Sequence, residues 1–281
     1  MRRTTLIVLC AILFPLVLRA QSTCCSAPSS ATDRFAAFAA DAAFVSAHAA
    51  PLPYRANPTG WMVNFGCSDG RSGTGYFVRS ESHPEDVVIV VHEWWGLNDY
   101  IKSEADRINN ELGVSVLAVD LYDGKVATTP EDAGKYVQAM KPERAVAILG
   151  GAIKYLGTDS RIATLGWCFG GGWSHQAALL AGKQAVGCVM YYGMPEMDQA
   201  KLKGLNCSVL GIFGKKDKWI NAKVIADFQA AMKKAGKKLT VFSYDADHAF
   251  ANPSNPNHDE KATADAWKHT AAYLRSSFGL K

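Results

Sequence analysis

From about residue 85 onward, short apolar runs alternate with longer helix-forming stretches, and this alternation restricts the fold more than any other feature. The runs VVIVVH (87 to 92), VSVLAVD (114 to 120), RIATLG (161 to 166), AVGCVMYYG (185 to 193), SVLGIFG (208 to 214) and LTVFSYD (239 to 245) are nearly continuous in apolar and β-branched residues. That is the pattern of strands buried on both faces. Between them stand NDYIKSEADRINNELG (98 to 113), PEDAGKYVQAM, PERAVAILGGAIKYLG and INAKVIADFQAAMKKAG (220 to 236), and HDEKATADAWKHTAAYLRSSF (258 to 278) closes the chain, all with apolar residues at helical spacing. Such alternation calls for an α/β fold with a mostly parallel central sheet covered by helices on both faces. Upstream, WMVNFGCS (61 to 68) and GTGYFVRS (73 to 80) flank the turn signal DGRS, which predicts an antiparallel hairpin at one sheet edge. No internal repeat or linker interrupts residues 60 to 281, which read as one domain.

The first 20 residues have the organisation of a secretory signal peptide: Arg2 and Arg3, an apolar run from Leu6 to Leu18, then Ala20 before polar residues. An uncleaved N-terminal anchor shares this pattern, although the run is short for a membrane span and contains Pro15. With cleavage near Ala20 the mature protein is expected in a secreted or periplasmic location, without a stable membrane span. Residues 21 to 59 form an N-terminal extension: a small, polar lead-in, then FAAFAADAAFVSAHAA (35 to 50), an Ala-rich helix with Phe35, Phe38 and Phe44 as an apolar stripe. It is expected to pack on the main domain, with His48 at the surface or in packing rather than serving as a ligand.

Loss of Arg2, Arg3 and Arg19 with the signal takes 30 basic residues to 27 against 26 acidic ones. A nearly neutral protein offers no electrostatic case for nucleic acid or an anionic membrane as partner. Export permits disulfides among Cys24, Cys25, Cys67, Cys168, Cys188 and Cys207, yet a domain of this size does not need them, and the spacings match no metal signature. No metal or organic cofactor is expected, and a monomer is.

In open parallel sheets ligands bind beyond the carboxyl ends of the strands. Six sequences stand there in order: HEWWG, DLYDGK, Cys168, GMPEMD, GKKD and DADHAF. Cys168 sits in Gly166-Trp167-Cys168-Phe169-Gly170 between a strand and a helix-forming run, the setting of a nucleophile elbow. The glycines allow a strained corner that projects the side chain and aims backbone N–H groups at the substrate. Asp217 and His248 follow two later strands, giving the order nucleophile, acid, histidine of α/β-hydrolases. A thiol supplies the nucleophile, His248 can take its proton, and Asp217 can fix the imidazole tautomer. Glu93, after a buried strand and beside Trp94 and Trp95, is partly desolvated and able to accept a proton from the thiol. Trp94, Trp95 and Trp167 wall an apolar pocket or serve as core packing.

The segments VVIVVHEWWGLND (87 to 99), VLAVDLYDG (116 to 124), IATLGWCFGG (162 to 171) and DHAF (247 to 250) together resemble the dienelactone hydrolase family of α/β-hydrolases, over roughly residues 60 to 278. The resemblance implies a Cys168, Asp217 and His248 triad, a role for Glu93 in activating the thiol when substrate binds, and an oxyanion hole made by the N–H groups of Phe169 and Trp94. Two features depart from it. The family carries an arginine four residues beyond the histidine, where this chain has Asn252, and another after the Asp-Leu-Tyr segment, where Gly124 and Lys125 stand. Without the planar, bidentate clamp on a carboxylate, dienelactone itself does not follow as substrate. Tyr122, Lys125, Trp95, Trp167 and Asn252 are then the expected pocket residues. The expected activity is hydrolysis of a small-molecule ester or lactone through an acyl-thioester on Cys168. A broad-specificity carboxylesterase and a non-catalytic binding or thiol-sensing protein are the alternatives on the same fold.

Overall fold

The computed structural model describes residues 30–281, so the signal segment, Cys24 and Cys25 lie outside the described residues. The Ala-rich stretch is expected to form one helix but forms two, α1 (Ala31–Phe38) and α2 (Ala42–Ser46). Asp41 causes the break: its backbone is extended and its carboxylate accepts the Ala43 N–H at 2.9 Å, capping a new helix. The hairpin forms where the turn signal predicts it, from β1 (Trp61–Gly66) and β2 (Ser72–Val78), with Gly70 at φ 78° in the turn.

Next come β3 (His83–Val91), α3 (Asp99–Leu112) and β4 (Val114–Val119). Asn98 caps α3 by accepting the Ile101 N–H at 3.2 Å, and Gly113 ends it in the left-handed conformation at φ 69°. Two helices, α4 (Pro130–Ala139) and α5 (Pro142–Leu156), lead to β5 (Arg161–Trp167), α6 (Phe169–Ala181) and β6 (Ala185–Tyr191). The chain ends with α7 (Gln199–Lys203), β7 (Val209–Gly214), α8 (Ala222–Lys234), β8 (Leu239–Tyr244) and α9 (Glu260–Phe278).

The eight strands make one sheet in the order β1-β2-β4-β3-β5-β6-β7-β8. The β1-β2 and β2-β4 pairs are antiparallel and the other five are parallel. β4 and β7 are buried along their whole length, as their unbroken apolar runs require, whereas edge strand β8 is only half-buried. Helices α5, α6 and α8 cover one face and α3 and α9 the other. The chain moves from β3 outward to β4, then returns to β5 on the opposite flank of β3. This reversal opens a crevice at the carboxyl ends of β3 and β5, where Glu93 and Cys168 emerge. Among the described residues no helix is long and apolar enough to cross a membrane.

Candidate active site

The corner between β5 and α6 is built by glycine. A Cβ on Gly166 would collide with the Gly170 carbonyl, and one on Gly170 with the carbonyls of Val91 and His92. The close approach those glycines permit holds Cys168 at φ 56° and ψ −119°, a strained conformation for a residue with a side chain. The Cys168 N–H donates to the Tyr191 carbonyl at 3.0 Å, which fixes the corner to β6.

His248, in the loop after β8, places Nε2 3.4 Å from Cys168 Sγ and Nδ1 2.6 Å from Asp217 Oδ2. Asp217, in the loop after β7, uses its other oxygen to accept the N–H groups of Trp219 and Ile220, both at 2.9 Å. It therefore anchors its own turn as well as the imidazole. All three side chains are buried. Burial opposes charge on Asp217, but His248 and the two N–H donors outweigh it and hold the carboxyl below the ordinary carboxylate range. Burial also opposes charge on His248, and Asp217 overcomes it, lifting the imidazole well above its ordinary value. Burial pushes the Cys168 thiol up, against the pull of His248.

Glu93 follows β3, and burial pushes its carboxyl up to about 7. Its Oε1 accepts the Tyr192 hydroxyl at 3.4 Å and its Oε2 the Asn252 side-chain amide. Asn252, at the position of the absent arginine, thus holds the carboxylate of Glu93. The backbone N–H of Phe169 favours the charged form of Cys168. Trp94 is fully buried, and its indole N–H and the Tyr122 hydroxyl are buried donors with no hydrogen-bond partner among the described residues. His92 is a structural tie: its Nδ1 donates to the Glu93 carbonyl at 2.5 Å and its Nε2 accepts the Leu121 N–H at 3.1 Å, joining the loops after β3 and β4.

The five expected pocket residues separate. Trp167 and Asn252 line a cavity of about 520 Å³ together with Glu93, Tyr54, Tyr191 and Trp267. Tyr122 and Lys125 line another, of about 250 Å³, where Arg144 is engaged by Asp69 and Asp123. Trp95 borders neither and packs edge-on against Trp94, ring centroids 5.1 Å apart.

The extension is placed where nothing in the sequence hints at it. α2 lies over Cys168 and His248, with Phe44 fully buried against His248, Trp219 and Trp94 at centroid distances of 5.6, 5.0 and 5.5 Å. His48, expected at the surface or in packing, is buried with Nε2 4.0 Å from Cys168 Sγ. It lies 120 residues from Cys168 and outside the strand-helix pattern, so no spacing links the two. Phe35, Phe38 and Phe44 are the one signal: an apolar stripe that needs a surface to cover.

A model of the dienelactone hydrolase family matches residues 74–278. The chain is 29% identical over 201 residues to Protein usf of Aquifex pyrophilus, covering 67% of this chain and 87% of that protein. It is 27% identical over 234 residues to a carboxymethylenebutenolidase of Pseudomonas sp., covering 76% and 96%. A dienelactone hydrolase-like promiscuous phosphotriesterase from metagenomic libraries shares the fold, with TM-score 0.68 at 22% identity over 77% of this chain and 98% of that one. The dienelactone hydrolase of Anabaena variabilis does so with TM-score 0.57 at 17% identity over 78% and 98%. The family match runs from β2 to the last residue of α9, taking in every strand end that carries Glu93, Cys168, Asp217 and His248 and leaving α1 and α2 outside, and on that match the chain belongs to the dienelactone hydrolase family.

Proposed function

We propose that this protein is an exported hydrolase of carboxylic esters or lactones that works through an acyl-thioester on Cys168. The observation that carries the reading is the continuous relay at the strained corner, Sγ to Nε2 at 3.4 Å and Nδ1 to Oδ2 at 2.6 Å. His248 removes the thiol proton, and Asp217 stabilises the imidazolium that results. Glu93, poised near neutrality, is a second acceptor that a bound substrate can bring into play by displacing the Asn252 amide. The thiolate attacks the carbonyl carbon, and the N–H groups of Phe169 and Trp94 receive the developing oxyanion. The proton on His248 goes to the leaving alkoxide. Water, deprotonated by the same imidazole, then releases the acid and restores the thiol.

The cavity of about 520 Å³ supports a substrate with a sizeable apolar portion, since Trp167, Trp267, Tyr54 and Tyr191 form much of its wall and Glu93 lines it as well. Asn252 in place of a guanidinium supports uncharged esters and lactones over substrates that present a free carboxylate. The carboxymethylenebutenolidase relative points to the same bond type. Export rests on the N-terminal sequence, residues 1 to 20, and its check is the mass of the mature N-terminus in fractionated cells.

The reaction is tested by assaying short aryl esters and small lactones with the wild type and Cys168→Ala, and by intact mass after a brief ester pulse. An acyl adduct on the wild type and loss of turnover in the variant are expected. Equal rates in the two proteins would sink the mechanism, and a persistently unreactive Cys168 would favour the binding or thiol-sensing alternative.

A further inference from the structure

The extension brings a third metal-binding type of side chain to the nucleophile. Cys168 Sγ, His248 Nε2 and His48 Nε2 all lie within 4.8 Å of one another in a buried position. Each imidazole is already oriented as a ligand through its other nitrogen. His248 Nδ1 is held by the Asp217 carboxylate at 2.6 Å, and His48 Nδ1 donates to the Phe44 carbonyl at 2.7 Å. A carbonyl oxygen can only accept, so the proton of a neutral His48 is on Nδ1 and the Nε2 lone pair faces Sγ. Metal-bound histidines show this arrangement, their distal N–H tied to a carboxylate or a backbone carbonyl. The spacing agrees as well. Zinc–sulfur and zinc–nitrogen bonds of about 2.3 and 2.0–2.1 Å at a tetrahedral angle set an S···N edge of about 3.5 Å. The two S···N distances are 3.4 and 4.0 Å and the two imidazole nitrogens lie within 4.8 Å of each other, so closure draws His48 inward toward both Cys168 and His248.

We propose that Cys168, His248 and His48 form a three-ligand site for a borderline-soft divalent cation of the Zn²⁺ type, with the fourth position open to water. A donor set of one thiolate and two imidazoles favours such a cation over hard ones that seek oxygen. On binding, the Cys168 thiol gives up its proton to solvent, as does His248 Nε2 if protonated, and the bonds from sulfur and the two nitrogens to the metal take their place. The site belongs to this chain's architecture, because His48 lies on a segment outside the matched family region. Bound metal would occupy the nucleophile and pin the extension across it. The inference does not depend on hydrolysis, since the ligand atoms and their supports are geometric. The other cluster of such groups among the described residues, His83, Glu85 and Asp86, is partly exposed, and its Asp86 is engaged by Arg161 through two hydrogen bonds of 2.6 Å.

The test uses the full mature chain, stripped of metal by a chelator, with Zn²⁺ titrated against a competing chelator and Co²⁺ as the optical probe. One Zn²⁺ per chain and a sulfur-to-cobalt charge-transfer band are expected. Cys168→Ser should remove the band, His48→Ala should weaken Zn²⁺ binding at least about 100-fold, and His48→Cys should restore most of it. X-ray absorption of the zinc-loaded wild type, which needs no variant to fold, should report one sulfur and two imidazole nitrogens. Absence of stoichiometric binding, a band that survives Cys168→Ser, a folded His48→Ala protein that binds as tightly as the wild type, or an all-oxygen and nitrogen shell would each overturn the site.

Discussion

Replacing Phe44 with Ala should uncover Cys168 without unfolding the domain. Phe44 is fully buried, and its ring meets those of Phe35, Phe38, His48, Trp94, Trp219 and His248 at centroid distances between 4.3 and 5.7 Å. Truncating a phenylalanine so enclosed costs about 3–5 kcal/mol when the surroundings cannot collapse. Here the loss falls on the docking of two helices of 8 and 5 residues, which can lift away while the sheet stays intact. At about 1.4 kcal/mol per factor of ten, the open population should rise by roughly two to three and a half orders of magnitude. The assay is alkylation of Cys168 by iodoacetamide, followed by intact mass under conditions where opening precedes reaction, with circular dichroism melting in parallel. Faster alkylation of Cys168 and a preserved main transition are expected. An unchanged alkylation rate together with a main transition lowered by the whole cost would refute the reasoning, because it would make α2 part of the cooperative core rather than a detachable cover.

Two other substitutions probe the relay and its neighbour. Asp217→Asn keeps an oxygen for the Trp219 and Ile220 N–H groups but removes the charge that lifts His248, so kcat should fall by about 10³–10⁴-fold with little change in melting; a fall below tenfold would dismiss Asp217 from the relay. Glu93→Gln tests the carboxyl that burial raises from 4.5 to about 7. A group that holds its proton more tightly when folded favours the native state below pH 4.5, and that advantage is lost as pH rises to 7, by about 3 kcal/mol in all. The wild type should therefore lose stability relative to the Gln variant between pH 4.5 and 7, as read by urea unfolding, while acylation slows in the variant. Parallel stability profiles would show that Glu93 is ionised throughout.

The sheet and most of the site could be read from the chain because parallel strands bury both faces and so write themselves as unbroken apolar runs. Once β3, β5, β7 and β8 are located, Glu93, Cys168, Asp217 and His248 stand within four residues of their carboxyl ends. What lies between strand ends is less legible. Tyr122 and Lys125 share the loop after β4, where Asp120 accepts the Tyr122 and Gly124 N–H groups and curls the segment toward a separate cavity. Trp95 reads as a pocket wall by its closeness to Glu93, yet one residue of turn sends it behind Trp94. The extension is the least legible part, since an apolar stripe states that a helix must be covered and not what it covers. His48 acquires its meaning only from the tertiary arrangement that sets it over Cys168.

That arrangement also dictates an order of assembly. Among the described residues α1 and α2 are made before any strand, but their seat is composed of Trp94, Phe169, Trp219 and His248, contributed by the segments that follow four different strands. No such surface exists until β8 has joined the sheet and the loop bearing His248 has closed, and contacts across so many intervening residues are costly to form early. The first helices among the described residues are thus the last to dock. Until they dock, the sulfur of Cys168 stands open in a nearly finished domain, and the chain completes its fold by covering it.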